Sequence, residues 1–195
     1  MLKTRFNKRL EGFADSILTI VGRIEGYKGQ WIGGAKLNPQ TLGRLKKSTL
    51  ITSAGASTRI EGSKLSDEEV EKLMQGVRVQ KFVNRDKQEV RGYYELLENV
   101  FDSWKSTKFS ENTTKHFHKE LLKYVDKDER HLGEYKKIEN DVKMIDADGN
   151  VIAVIFQTTP AYLVPKQMQE LYEWTEGAFK KKQYHPLLII ANFIV

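Results

Sequence analysis

Apolar residues recur at three- and four-residue steps in three stretches of the central part of the chain, and this spacing predicts three amphipathic helices. The first begins at Ser66, where Ser66 and Glu69 have the Ser-x-x-Glu spacing of a capping box. The second runs from Gln88 to Trp104, and the third begins at Ser110. We expect their inner faces to form the core. These faces contain Val70, Leu73, Met74 and Val77, then Val90, Tyr93, Leu97, Val100, Phe101 and Trp104, and finally Phe117, Leu121, Leu122 and Val125.

The pattern changes to an alternation of apolar and polar residues between Asp141 and Gln157, which predicts a β-hairpin. Asp148 and Gly149 have the composition of a tight turn between its strands. Two strands alone are marginally stable, so we expect the hairpin to lie on a helical body as a surface flap.

Residues 1–50 are predicted to form an N-terminal helical appendage with loops. The segment GRIEGYKGQWIGG is rich in glycine, which indicates a turn region. We expect Trp31, which lies within this segment, to anchor it against the main body.

Two prolines indicate further helices in the last part of the sequence. Pro165 suits the first turn of one helix, and Pro186 opens another that is apolar on every side except at Asn192. A helix that is apolar all round is typical of the centre of a protein, and no C-cap signal precedes Val195. We therefore expect the sequence to be truncated. The alternative is a short terminal helix that docks in a groove.

The composition narrows the class of protein. Of 195 residues, 39% are hydrophobic and 30% are charged, which suits one compact domain with or without a small appendage. The chain has no cysteine, which excludes disulfides and thiolate metal sites and favours the reducing cytoplasm. Charged residues interrupt the N-terminus, so no secretory signal is predicted, and the final apolar run is too short to span a bilayer. We expect a cytoplasmic protein without membrane association.

The formal net charge of +6 at pH 7 allows binding to nucleic acid, because clustered cations gain from the release of counterions. The basic residues are scattered, however, and acidic residues interleave with them along almost the whole chain. A solvated, mildly basic surface is therefore the better interpretation, and nucleic-acid binding stays a weaker alternative.

The residues by themselves do not predict a catalytic site. His116 and His118 are two apart on a predicted helix, whereas a pair of metal ligands on a helix needs a spacing of three or four. The sequence has neither a P-loop nor a glycine-rich dinucleotide fingerprint. On these grounds the chain is a mostly helical protein with a hairpin flap.

One short motif precedes the capped helix: Ser57-Thr58-Arg59-Ile60-Glu61-Gly62. It resembles the inhibitory motif of Fic proteins, a family of AMP-transferring enzymes, in which Ser or Thr is followed by three residues, then Glu, then Gly or Asn. Further segments are similar to Fic proteins in the same order, over roughly residues 51–195. They are RDKQEVRGYYELLE, HFHKELLKYVDKDERHLGEYKK, VIFQTTPAYLVPKQMQELYEW and HPLLIIANFIV.

The signature of that family, His-Pro-Phe-x-Asp/Glu-Gly-Asn-Gly-Arg-x-x-Arg, is absent from this sequence, because an apolar run follows His185-Pro186. The resemblance implies that the signature begins within a few residues after Val195. It implies a mainly α fold, a Fic-like helical bundle with a β-hairpin flap that is truncated before the active-site motif. The expected parts are an N-terminal helical appendage (1–50), an inhibitory-helix segment (51–79) and the first part of the Fic core (80–195), with the flap at 141–157.

The resemblance also implies an activity for the intact family member. A Ser, Thr or Tyr hydroxyl of a target protein takes AMP from ATP, with the signature histidine as general base and the signature acid holding Mg²⁺. ATP and Mg²⁺ are therefore expected for the intact protein. None of those catalytic groups, and no metal ligand, is assigned to a residue of this chain, which we expect to be inactive alone.

For this chain, the resemblance implies a role in regulation and a role in docking the target protein. Glu61 is expected to pair with the second arginine of the signature, which otherwise binds the γ-phosphate of ATP, and Ser57 to add a hydrogen bond near the phosphate loop. The plain alternative for Glu61 is a helix-end carboxylate that faces water. The flap is expected to bind an extended segment of the target by strand addition. Its expected docking residues are Ile155, Phe156, Gln157 and Thr158.

A second class of function is a helical protein without catalysis. Such a protein could use Glu61 to inhibit a separate catalytic partner in trans, as an antitoxin does. Alternatively, it could bind DNA. The partner hypotheses are therefore a target protein with a hydroxyl side chain, a homodimer and, less well supported, nucleic acid.

Overall fold

The computed structural model describes residues 5–34, 38–75, 84–125 and 131–194. These residues are mainly α-helical with one antiparallel pair of strands, which confirms the predicted fold class. The chain divides into two compact units, Met1–Arg44 with Glu170–Val195, and Leu45–Gln169. The elements in chain order are α1 (Arg5–Arg9), α2 (Asp15–Gly34), α3 (Pro39–Ile60), α4 (Asp67–Gln75), α5 (Arg85–Ser103), α6 (Glu111–Leu121), β1 (Val142–Ile145), β2 (Val151–Phe156), α7 (Val164–Lys181) and α8 (Pro186–Ile194).

The core of the second unit joins three helices. Ile51 and Ala54 of α3, Leu65 in the loop that follows, Val70 of α4 and Val90 of α5 are buried and form one cluster. Burying an aliphatic side chain completely contributes about 1.5–3 kcal/mol, so this cluster holds the three helices together. Val70 and Val90 were predicted as core from the helical spacing, but Phe101 and Trp104, predicted on the same inner face as Val90, are exposed.

The capping box predicted at the start of α4 is present. The backbone N–H of Ser66 donates to Glu69 Oε2 at 2.8 Å, and the N–H of Glu69 donates to Ser66 Oγ at 3.2 Å. Ser110 caps α6 in a related way, because its Oγ accepts the N–H of Thr113 at 3.2 Å. Both helices therefore begin where the sequence predicts.

The helix α5 begins three residues earlier than predicted. Its N-cap is Asn84, whose side chain accepts the N–H of Asp86 at 2.8 Å. An asparagine in this position satisfies one of the N–H groups that a helix start leaves without a partner, so the helix begins before Gln88. Val77, predicted on the inner face of α4, lies outside the described residues.

The helices α5 and α6 approach closely at Gly92. A Cβ atom on this residue would lie 1.9 Å from the carbonyl oxygen of Leu121. Polar side chains join α5 to the turn that follows α6, where the carboxylate of Glu95 pairs with Lys123 at 2.8 Å and accepts the hydroxyl of Tyr124 at 2.9 Å. A glycine therefore sets the separation of these helices, and the Glu95 network ties α5 to the residues just after α6.

The strands β1 and β2 form the predicted hairpin. They pair antiparallel from Val142 and Phe156 to the turn, with two irregularities of register. The turn is organised by Asp146, whose carboxylate accepts the N–H groups of Asp148 at 3.0 Å and Asn150 at 2.8 Å. Every residue of both strands is exposed, as expected for a surface flap.

The glycine-rich segment of the first unit is helical, which corrects the predicted turn region. It lies within α2, a helix of 20 residues. A glycine inside a helix costs about 1 kcal/mol relative to alanine, but Ile17, Ile20 and Ile24 recur at helical spacing along the same helix. Trp31 is 54% exposed, so the expectation that it anchors the segment is also wrong.

The helix α8 is partly buried in this chain. Ile189 and Asn192 are buried, while Ile190 and Ile194 are exposed. Asn192, which interrupts the apolar pattern, donates its Nδ2 to the carbonyl oxygen of Phe6 at 3.1 Å. Within the described ranges, no helix combines the length and the apolar character that crossing a bilayer requires.

Candidate functional site

The motif Ser57–Gly62 forms the C-terminal end of α3, a helix of 22 residues that the sequence analysis did not delimit. The N–H of Gly62 donates to the carbonyl of Arg59 at 3.1 Å, and the N–H of Ser63 donates to that of Thr58 at 3.0 Å. Gly62 has a φ of +99°. This pair of bonds around a left-handed glycine is a Schellman motif, so Gly62 ends the helix and Glu61 is its C-cap residue.

Ser57 and Glu61, the two predicted inhibitory residues, line one cavity of about 530 Å³. They are four residues apart, which places them one above the other on the same face of α3. The cavity lies where the C-terminal end of α3, the first half of α5 and the C-terminal end of α6 meet. Its lining residues are Ser57, Thr58, Glu61, Gly62, Ser63, Arg85, Asp86, Glu89, Tyr93, Leu121 and Leu122.

The charges that line this cavity favour a cationic ligand. Among the described residues that line it are three carboxylates, those of Glu61, Asp86 and Glu89, and one guanidinium, that of Arg85. Arg85 donates its Nε to Glu89 Oε1 at 2.6 Å. One of the three carboxylates is therefore neutralised within the site, and the remaining acidic charge favours a second cation over an anion.

Glu61 is an exposed carboxylate at the negative end of a helix. In the described part of the chain its side chain has neither an ion pair nor a hydrogen bond. The C-terminal end of a helix disfavours a negative charge by about 0.3–1 kcal/mol. Glu61 therefore does not stabilise the helix that carries it, and its carboxylate is available to a cation from outside the described residues.

Ser57 is held by a tyrosine of α5. Its Oγ donates to the hydroxyl of Tyr93 at 2.9 Å, in a half-buried position. The next residue, Thr58, is buried and donates its Oγ1 to the Ala54 carbonyl at 2.8 Å. The last turn of α3 is thus fixed on one side by a side chain of α5 and on the other by its own backbone.

Three further contacts fix the loop that follows Gly62. Arg59 donates to the carbonyl of Leu65 and to the carboxylate of Asp67, each at 2.8 Å. Asp86, at the start of α5, accepts the backbone N–H of Lys64 at 3.0 Å. The loop is therefore tied to α4 and α5 at both of its ends.

The four predicted docking residues of the flap divide into two groups. Ile155, Phe156 and Gln157 are exposed. Thr158 is half-buried and belongs to the base of the hairpin, where its backbone N–H donates to Asp141 Oδ1 at 2.9 Å. Among the described residues β2 pairs only with β1, so its outer edge has room for another strand. The docking role of all four residues stays a prediction.

The described residues do not fit a metal ion, because nowhere in them do three or more His, Asp or Glu side chains form a group that could hold one. Two of the histidines have structural contacts instead. His118 accepts the backbone N–H of Gly133 through Nδ1 at 2.9 Å, and His185 lies 3.3 Å from Glu25. No Mg²⁺ ligand and no step that uses Mg²⁺ is assigned to this chain.

The residues that position the motif are not predicted from the sequence. Tyr93 was predicted as core because it falls on the apolar face of α5, and nothing in the apolar spacing distinguishes its hydroxyl. Arg59 occupies an unspecified position of the motif, and Asp86 resembles any acidic residue in the first turn of a helix. Their roles depend on contacts between segments distant in sequence, which spacing along one helix does not reveal.

Solved structures with the same fold are Fic-domain proteins. One is a Fic domain-containing signalling protein from Bacteroides thetaiotaomicron, with a TM-score of 0.66 and 19% identity, over 85% of this chain and 60% of that one. Another is a Fic family protein from Desulfovibrio desulfuricans, with a TM-score of 0.67 and 25% identity, over 93% of this chain and 50% of that one. The present chain therefore spans between half and three fifths of the proteins that it matches.

The similarity is detected through structure and not through sequence. Neither a protein-family profile nor a curated protein matches the chain. The two solved structures bear out the mainly α fold with a hairpin.

Proposed function

We propose that this chain, which has the fold of Fic-domain proteins, is the regulatory and target-docking part of a protein adenylyltransferase that Glu61 inhibits. In the proposed reaction, a target hydroxyl oxygen forms a bond to the α-phosphorus of ATP. The bond from that phosphorus to the oxygen bridging the β-phosphorus breaks, pyrophosphate leaves, and the hydroxyl proton passes to a general base outside this chain. The product is a target protein that carries AMP.

The observation that supports the inhibitory role is the placement of Glu61. Its carboxylate is exposed at the end of α3 and lines an acidic cavity together with Ser57. The ligand that suits such a carboxylate is a guanidinium, because two parallel N–H groups match its two oxygens in a charge-assisted fork. An arginine that Glu61 holds in this way is not available to the γ-phosphate of ATP.

The proposed inhibition is a competition between two anions for one arginine. A carboxylate built into the same protein has a high effective concentration, whereas ATP must bind from solution. ATP is then held without its correct phosphate contact, in a pose that does not react. Removal of Glu61 leaves the arginine to the triphosphate.

The flap supports the second half of the proposal. Ile155 and Phe156 are each 62% exposed on β2, next to an edge with room for another strand. Strand addition at that edge would give main-chain hydrogen bonds that do not depend on the target sequence, with the two apolar side chains adding selectivity. The proposed target is therefore an extended segment that presents a hydroxyl side chain.

The first prediction tests Glu61 in a full-length protein that contains this chain and the Fic signature. Glu61→Gly and the isosteric Glu61→Gln should both raise the incorporation of labelled AMP from ATP, because each removes the charge that occupies the arginine. Glu68→Gln is the matched control, since Glu68 is exposed in the first turn of α4 and does not line the cavity. Incorporation in both Glu61 variants no higher than in wild type would overturn the proposed function.

A further inference from the structure

We propose that Tyr93 is a positioning residue of the inhibitory site: its hydroxyl holds Ser57 and thereby fixes the direction of Glu61. This inference rests on the proposed function and extends it to the control of the inhibitory side chain. Tyr93 belongs to α5, so it acts on Glu61 from outside the motif and at a sequence distance of more than thirty residues.

The first step of the argument is that the tyrosine ring is fixed. Tyr93 is half-buried and packs against the buried cluster of α3, α4 and α5. A ring held in that way leaves only the hydroxyl torsion free, so the phenol oxygen has a defined place in the wall of the cavity. It accepts the hydrogen bond of Ser57 Oγ there at 2.9 Å, a normal length for two hydroxyls.

The second step is that the position of Ser57 determines that of Glu61. The two residues are one helical turn apart on the same face, about 6 Å along the axis at 1.5 Å per residue. A contact at Ser57 therefore limits both rotation of the last turn about the helix axis and fraying of that turn. Beyond Glu61 the helix ends at Gly62, so no further helical turn restrains the carboxylate from the other side.

The third step is that the other contacts of this region act elsewhere. Arg59 and Asp86 restrain the loop after the helix, through Leu65, Asp67 and the N–H of Lys64. Within the described residues, two side-chain contacts join the Glu61 face of α3 to α5. One is the Lys46–Asp102 ion pair, about three turns before the motif, and the other is the Ser57–Tyr93 hydrogen bond, one turn from Glu61. Loss of this hydrogen bond should loosen the carboxylate without detaching the loop.

The second prediction is measured on the same full-length protein. Tyr93→Phe keeps the ring and removes the hydroxyl, and it should raise AMP incorporation by roughly two- to tenfold, the range expected for loss of one net hydrogen bond. The increase should be smaller than that of Glu61→Gly, and Tyr93→Phe should add nothing in a Glu61→Gly background. The matched control is Tyr94→Phe, because Tyr94 packs against the same cluster but does not line the cavity.

Amide hydrogen exchange gives a readout that does not depend on catalysis. The N–H groups of Gly62 and Ser63 donate within the end of α3, so they report its opening. They should exchange roughly two- to tenfold faster in Tyr93→Phe and in Ser57→Ala, while Tyr94→Phe exchanges like wild type. Ser57→Thr keeps the hydroxyl, so the N–H groups of Gly62 and Ser63 should exchange as slowly in this variant as in wild type.

The outcomes separate this inference from the proposed function. If Glu61→Gly activates but Tyr93→Phe behaves like Tyr94→Phe in both assays, the positioning role is wrong and the inhibitory role stands. Were Tyr93→Phe to raise incorporation equally with and without Glu61, the hydroxyl would act on something other than Glu61 and the inference would fail. If Glu61→Gly does not activate, the proposed function is overturned and the positioning role falls with it.

Discussion

Glu61 and Gly62 are adjacent residues with opposite effects on the end of α3. Gly62 favours the end of the helix, because its positive φ allows the two hydrogen bonds that satisfy the last carbonyl groups. Glu61 disfavours it, because its charge lies at the negative pole of the helix. At the scale of single residues, the glycine is explained by the fold and the glutamate is not, which agrees with a functional role for the glutamate.

The third prediction concerns this glycine. Gly62→Ala should lower the free energy of unfolding by about 1–2 kcal/mol, because an L-residue with a Cβ is strained in the left-handed region. Gly62→Asn should cost less, since asparagine tolerates that region better than other side chains. Urea denaturation followed by circular dichroism measures both variants. Equal stability of Gly62→Ala and wild type would show that the turn readily adopts another conformation.

At the scale of elements, glycines have different roles in two helices. Gly92 lies in α5 where the backbone of α6 leaves no room for a side chain. Gly22 lies in α2, and a Cβ atom on it would meet no atom within 4 Å. The same residue type is therefore required for packing in one helix and only lowers helix propensity in the other.

The fourth prediction follows from that contrast. Gly92→Ala should destabilise the protein by about 3 kcal/mol or more, because the new methyl group must push apart two backbones and no flexible side chain can yield. Gly22→Ala is the matched control and should stabilise by about 0.5–1 kcal/mol, since a helix favours alanine over glycine. Thermal or urea unfolding of the two variants gives both values. A small loss in Gly92→Ala would show that α5 and α6 are not this close in solution.

The sequence predicted best the elements whose signals are local. The capping box at Ser66, the N-cap at Ser110 and the hairpin all depend on residues within a few positions of one another. The glycine-rich part of α2 is wrongly predicted as a turn region, because glycine occurs in turns and is also tolerated in helices. The spacing of the apolar residues decides between the two. A helix end at Glu61 is predicted only as the alternative to the inhibitory role, because the motif by itself does not show where its helix ends.

The candidate site was predictable only in part, for a physical reason. Glu61 and Ser57 follow from the motif, and their common cavity follows from their helical spacing. The partners of the motif, Tyr93 and Asp86, come from another helix and become neighbours only when the core forms. Helical spacing assigns residues to a face but does not show which polar atom of that face has a partner.

At the scale of the whole molecule, the free energy of unfolding depends on the network that joins Glu95 of α5 to the turn after α6. Burial alone raises the pKa of the Glu95 carboxyl, but the hydrogen bonds from Lys123 and Tyr124 and the charge of Arg91 outweigh it and hold the pKa below its ordinary value of 4.5. A carboxyl whose pKa is lower when folded stabilises the native state above its unfolded pKa. That stability is lost as the pH falls through the folded pKa.

The fifth prediction gives the corresponding pH dependence. Glu95→Gln mimics the protonated carboxyl, so it should be less stable than wild type at pH 7. The difference should shrink once the pH falls below about 4.5, where the wild-type carboxyl begins to take up its proton. Urea midpoints measured between pH 3 and 7 test this, with Glu134→Gln as the control at an exposed site. A constant difference between Glu95→Gln and wild type across that range would contradict it.

The Schellman turn at the end of α3 has a consequence for how the proposed inhibitory motif is written. The sixth position of the motif, Gly or Asn, reflects a requirement for a backbone torsion and not for a side-chain contact, because these two residues most readily adopt a positive φ. The fifth position reflects a requirement for a negative charge. A search for distant relatives should therefore require an acidic residue at the fifth position of the motif. At the sixth position it should accept any residue that readily adopts a positive φ.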